Sequence, residues 1–438
     1  MKRVSSKQLL RVAELLYAVL ALFALTQGPV YRGWSRSALE IDRLPEPSLS
    51  HTYFATFIAL QTPALALWFR RIRRTWLNSF ENLALVLFVA WLFLGVSWST
   101  YARQSLPEVV ALALTISFGL YLATSFTTRQ FWALIATSMA LGVGFSWLAI
   151  MRLWEGAVNF QEEYWIGIYY NRNSLAPVAA VAILSGFGIV SVSLFPSEFF
   201  RRPSGVLFMA MSMALVVFSG VELWRTNSRT SPIALLVAVG TVGMSQILRR
   251  VTRLSPVLLM VRPYMASASF LIVGIILFLV LTSVDGLGSI PSELATLNSR
   301  RNLWSLSWSG ILEKPWTGWG WMAAWHTEEF FYGQSRWTVW GSKWSHNGYH
   351  DVLLGGGVVA GLLFTLYIWL GIRSVSEEPV SAGTPQLLLI CFVLVAATQE
   401  SFIIGSHFLL ALLVACVAHR MTGELSSNSE KNPNQLAT

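Results

Sequence analysis

The feature that most constrains this chain is a succession of apolar runs, each roughly 17 to 25 residues long, the length an α-helix needs to cross a bilayer. Twelve fall near residues 11–27, 51–69, 81–98, 108–124, 131–150, 173–194, 206–223, 232–248, 265–282, 347–371, 385–399 and 402–418. Only 12% of residues are charged and 54% are hydrophobic, where soluble domains are nearer a quarter charged. Such a chain is expected to be an all-α polytopic membrane protein, because a helix satisfies its own backbone in lipid.

The basic residues set the expected orientation. With the N-terminus in the cytoplasm, the inner connections receive Arg70–Arg71 with Arg73–Arg74, Arg201–Arg202, and Arg249–Arg250 with Arg253 and Arg262. An even number of spans returns His419 and Arg420 to the same side. The opening MKRVSSKQLLR, followed by LYAVLALFAL, lacks a clear small-residue cleavage site and reads as an uncleaved first span. Residues 1–282 would hold spans one to nine, 283–345 a long outer loop, and 346–420 the last three spans. The polar tail 421–438 is expected to be disordered and cytoplasmic. Cys391 and Cys416 both lie in apolar runs and exclude a disulfide framework or a cysteine-rich metal site.

This orientation leaves an excess of arginine outside: Arg152, Arg172, Arg225, Arg229, Arg300, Arg301 and Arg336. Outer loops run low in arginine. Guanidinium groups bind phosphate through two N–H donors and stay charged in a partly dehydrated site, so a polyanionic substrate is one reading. Snorkelling to lipid headgroups is the other. Nine of the 20 tryptophans fall in the long loop, from Trp304 to Trp344. They suit an interfacial belt on short surface helices, and equally suit stacking on sugar rings.

Three polar clusters lie on the outer side. Asn227 to Thr230 (NSRT) opens the eighth run, with Arg229 within a turn of the helix start. Residues 298–321, NSRRNLWSLSWSGILEKPWTGWGW, place Arg300 and Trp304 on one helical face. Here Leu303 to Leu312 reads as a short surface helix that Pro315, Gly318 and Gly320 end. The third, SKWSHNGYHDVLLGGG at 342–357, puts His346 and His350 four apart, on one face if both are helical. No third ligand accompanies them, so a zinc pair is not expected. His350, beside Asp351, either bonds toward His346 or lines an inner cavity. Glu400 and His407 flank the last outer turn and either line a cavity or pack between helices. Glu40 and Asp42, the closest carboxylate pair, read as a solvated loop.

Taken in order, the SRT segment, R-x-x-x-W, KPWTGWGW and H-N-G-Y before a glycine-rich span resemble the O-antigen ligase and polymerase superfamily of bacterial envelope glycosyltransferases. GIYYNRNSLAPVAAVAIL at 167–184 resembles that family's preceding span, with Asn173 in its asparagine position. The likeness covers roughly 165–370. It implies a C-type glycosyltransferase-like fold with short interfacial helices in the periplasmic loop. It further implies a bacterial inner-membrane enzyme with a periplasmic active site that takes glycan from undecaprenyl diphosphate and uses no cofactor. The family's basic positions match Arg229, Arg300 and His346. Arg301, Asn347, Arg225, Arg172, Asn173 and Arg336 are the accompanying substrate-binding candidates.

The implied chemistry is a metal-independent, inverting transfer in which arginines stabilise the departing diphosphate. His346 serves either as general base or as an orienting, diphosphate-binding group. A ligase acting on lipid A–core oligosaccharide is expected first, with a polymerase of the same superfamily as alternative. A lipid-linked-sugar flippase is the reading from another class. Neither nucleic acid nor a metal is expected; the partners are the two glycolipids and membrane lipids.

Overall fold

The computed structural model describes residues 5–29, 51–70, 80–154, 156–193, 203–252, 294–327, 344–378 and 380–419. The expected run at 265–282 lies outside these residues, as do Arg336, Glu40 to Asp42, the tail and most of the inner basic clusters (Arg71, Arg73–Arg74, Arg201–Arg202, Arg253, Arg262).

Twelve α-helices are described: α1 Ser6–Leu25, α2 His51–Phe69, α3 Phe80–Gly95, α4 Ala102–Ser125, α5 Thr128–Met151, α6 Arg172–Ser193, α7 Pro203–Arg225, α8 Thr230–Thr252, α9 Leu294–Glu313, α10 Gly348–Glu377, α11 Val380–Ala396 and α12 Phe408–Ala418. The other eleven expected runs all fall on these helices. Seven helices are long and apolar enough to cross a membrane, and four shorter ones are apolar throughout. This is the architecture of an all-α polytopic membrane protein. Starts follow local chemistry: Ser5 with Gln8 and Thr127 with Gln130 form reciprocal caps on α1 and α5, satisfying backbone N–H groups that a helix start leaves open.

Helix α6 lies between α5 and α7, α8 pairs with α11, α12 with α4, and α10 with α3. Every residue of α12 except Ala418 is buried. In contrast, Leu207, Met211, Val217 and Trp224 of α7 are exposed, as lipid-facing side chains must be.

Four features depart from expectation. A two-stranded antiparallel hairpin, β1 Val158–Asn159 and β2 Tyr164–Trp165, joins α5 to α6. Asn159 closes it by accepting the Gln161 and Glu162 N–H groups at 3.0 Å each. Helix α9 begins at Leu294, well before the expected Leu303, and ends where Pro315 and the glycines predict. The last two spans are shifted, because residues 397–407 form a polar turn that His407 ends by capping α12. Finally, α10 is broken at Gly357, where φ is 67°.

That break seats the segment after α9. Trp319 and Gly320 donate to the Leu354 and Gly355 carbonyls at 2.9 and 3.1 Å, and Val358 donates to Pro315 at 2.7 Å. Trp91 Nε1 donates to the Gly356 carbonyl at 2.7 Å. Backbone freed by a broken helix must find such partners in a membrane. A Cβ on Gly357 would collide with the Trp316 carbonyl, and one on Gly318 would lie 2.7 Å from the Gly355–Gly356 backbone. The glycines thus admit a loop segment into the break of α10.

Candidate functional site

The site is assembled where the starts of α6, α8 and α10 meet α9 and the 397–407 turn. Asn347 caps α10, accepting from the Tyr349 and His350 N–H groups at 3.1 and 3.3 Å. His346 therefore precedes the helix, and the two histidines do not share a helical face. His346 sits instead at φ 52°, a left-handed conformation that costs a non-glycine residue about 1–3 kcal/mol. Its neighbours impose it. The Ser345 N–H donates to Asp351 at 3.0 Å, Ser345 Oγ to the Asn347 carbonyl at 2.7 Å, and Trp304 Nε1 to the Ser345 carbonyl at 3.1 Å.

The buried Asp351 also accepts from Ser401 Oγ, and the Gly348 N–H donates to the Ala397 carbonyl at 2.8 Å. These bonds fasten the His346 turn to the turn carrying Glu400. The Glu400 carboxylate then collects three partners. His346 Nδ1 lies 2.9 Å from Oε2, while Oε1 takes Asn173 Nδ2 at 2.9 Å and an ion pair from Arg300 Nη2. Asn173 Oδ1 accepts from Ser228 Oγ at 3.0 Å, which brings in the NSRT segment.

Burial would raise the Glu400 pKa, but the His346 hydrogen bond and the Arg300 charge outweigh it and hold the carboxyl below its ordinary value of 4.5. An ionised carboxylate on Nδ1 fixes that nitrogen as the protonated one and leaves the lone pair on Nε2. The His346 side chain is 32% exposed while that of Glu400 is 9% exposed, so the ring is held from inside and open outside. Trp344 meets it nearly edge-on at 6.4 Å.

These bonds unite His346, Arg300 and Asn173 among the sequence candidates. Arg229, exposed, supplies the carbonyl that starts α8 and enters the network's neighbourhood through Ser228. Arg301 lies beside Arg300 on α9. Asn347 spends its side-chain oxygen on the cap. Arg172 and Arg225 stack on the hairpin aromatics Tyr164 and Trp165. His350 rests near Trp304 and Trp308, at 6.3 and 6.0 Å. The residue that sequence reading undervalued is Glu400. Its one signal was an acid between two apolar runs, which a solvated turn gives as readily.

Residues 214–365 match the family model described as O-antigen ligase, an interval holding Ser228, Arg229, Arg300 and His346. The match is consistent with a member of the O-antigen ligase/polymerase superfamily. The O-antigen ligase match spans about a third of the chain and is narrower than the resemblance at 165–370. Asn173 and Glu400 lie outside it, yet bond directly to residues tied into it. No curated protein matches the chain. Among the described residues, no three His, Cys, Asp or Glu side chains are grouped to hold a metal ion.

Proposed function

We propose that the protein is an O-antigen ligase that transfers a glycan from undecaprenyl diphosphate to lipid A–core oligosaccharide at the periplasmic face of the inner membrane. The observation that carries this reading is the His346–Glu400–Arg300 cluster, drawn from three distant parts of the chain. His346 Nε2 takes the proton of the acceptor hydroxyl as that oxygen attacks the anomeric carbon. Glu400 holds Nδ1–H and stabilises the imidazolium that forms. The bond from the anomeric carbon to diphosphate breaks on the opposite face, so configuration inverts. Undecaprenyl diphosphate leaves with the electron pair, and Arg300 and Arg229 stabilise its growing charge.

Glu400 acts here as a positioning group: both its oxygens are engaged by protein donors, and the charge on the leaving group falls to guanidinium. Activity should accordingly survive EDTA. The deciding assay uses purified protein in detergent, an undecaprenyl-linked glycan and lipid A–core. Transfer by the wild type, lost in His346→Ala with the fold intact, supports the reading; near-wild-type transfer by that variant sinks it. In proteoliposomes, movement of the lipid between leaflets without bond formation would mark a flippase.

The polymerase alternative separates in a loss-of-function strain. A ligase mutant keeps long polymer on undecaprenyl and bare core, whereas a polymerase mutant shows core capped by one repeat. The arginine-rich outer side suits a phosphorylated acceptor and favours the ligase.

A further inference from the structure

Arg172 and Arg225 hold the β-hairpin between them. The Arg172 guanidinium lies 4.8 Å from the centroid of Tyr164, and that of Arg225 lies 5.3 Å from Trp165. Tyr164 and Trp165 are consecutive in β2, so they project to opposite sides of the strand. Trp147 supports Trp165 edge-on at 4.9 Å. Both arginines are anchored beside the Glu400 network. Arg172 precedes Asn173, and Arg225 lies three residues before Ser228, which donates to Asn173.

Among the described residues, neither guanidinium has a carboxylate or other hydrogen-bond acceptor. Glu162 and Glu163, on the same hairpin, are exposed and pair with neither arginine. Arg300 differs, because part of its N–H fork is already held by Glu400. Stacking fixes a guanidinium plane while leaving its N–H edge available. Two guanidinium forks held against rings, with no acceptor among the described residues, are suited to phosphate, which each can bind through two donors. Snorkelling to headgroups predicts mobile side chains, whereas these two are seated on aromatic rings.

We infer that Arg172 and Arg225 form a phosphate-binding rim beside the His346 site, which receives a phosphate group of a lipid substrate. The inference rests on reading this end of the protein as the one that takes phosphorylated lipids. Phosphate on the acceptor and diphosphate on the donor present the same chemistry to the rim.

The test measures binding to the full-length protein in detergent, so its outcome stands apart from whether His346 is the base. The probes are bisphosphorylated lipid A, dephosphorylated lipid A and undecaprenyl diphosphate, with phosphatidylglycerol as competitor. The Arg172→Gln/Arg225→Gln pair should weaken binding of at least one phosphorylated probe by about tenfold, the scale of lost charge-assisted hydrogen bonds. A loss on lipid A assigns the rim to the acceptor, and a loss on undecaprenyl diphosphate to the donor. Unchanged binding of both, an equal loss on dephosphorylated lipid A, or equally strong competition by phosphatidylglycerol overturns the proposal. If the glutamine pair lowers the melting temperature, Arg172→Lys/Arg225→Lys carries the test. It keeps charge without the planar fork, and wild-type affinity for both phosphorylated probes in that variant would also overturn the proposal.

Discussion

Glu400 lies 2.9 Å from Nδ1 of His346, although 54 residues separate them. The pair is held from both sides: Asp351 ties together the turns that carry them, and Arg300 and Asn173 engage the far carboxylate oxygen. A histidine so held has one tautomer and one orientation, which is the requirement for a base acting through Nε2.

Replacing Glu400 with Gln should lower kcat for glycan transfer by about 10²-fold or more, since an amide neither fixes that tautomer nor stabilises imidazolium. The substrate KM should move little. Transfer kinetics with purified variant and wild type check this, and an unchanged kcat would remove Glu400 from the mechanism.

His346→Gly separates stability from activity. Glycine adopts φ near 52° without strain, so the variant should gain about 1 kcal/mol at this position, offset in part by the lost Glu400 contact. A melting temperature no lower than that of His346→Ala, together with absent transfer, is the expected result.

The Glu400 carboxyl has a folded pKa below 4.5. A depressed pKa contributes stability that is fully present above the unfolded value and is lost as pH falls through the folded one. The stability gap between wild type and Glu400→Gln should therefore stay constant from neutral pH down to about 4.5 and narrow below it. Thermal unfolding in detergent across that range measures it, and a gap that narrows between pH 7 and 5 would contradict the assignment.

Gly357→Ala should destabilise the protein by about 2 kcal/mol or more, because φ is unfavourable and the added methyl meets the Trp316 carbonyl. The displaced segment follows α9, which carries Arg300, so transfer should fall as well. Melting temperature and activity measured together test both parts. Gly361→Ala, in the regular part of the same helix, serves as the comparison.

Much was legible in the sequence because it depends on local chemistry. Runs of apolar residues dictated helices, and Pro315, Gly318 and Gly320 signalled the end of α9, whereas the Asn347 and Thr127 caps and the break at Gly357 emerged only in the folded chain. His346 and Arg300 stood out within polar clusters on the outer side, and Asn173 through the resemblance of 167–184 to the family's preceding span. The His346–His350 spacing was uninformative, since the periodicity applies only inside a helix and the Asn347 cap excludes His346 from α10.

What the tertiary structure alone decided is the company each residue keeps. Glu400 joins Asn173, Arg300 and His346 across 227, 100 and 54 residues of chain, and no periodicity reports on such separations. An acid in a short turn has the same local signature whether water or three protein donors surround it. Burial against those donors makes Glu400 part of the site, and burial is a property of the assembled helices.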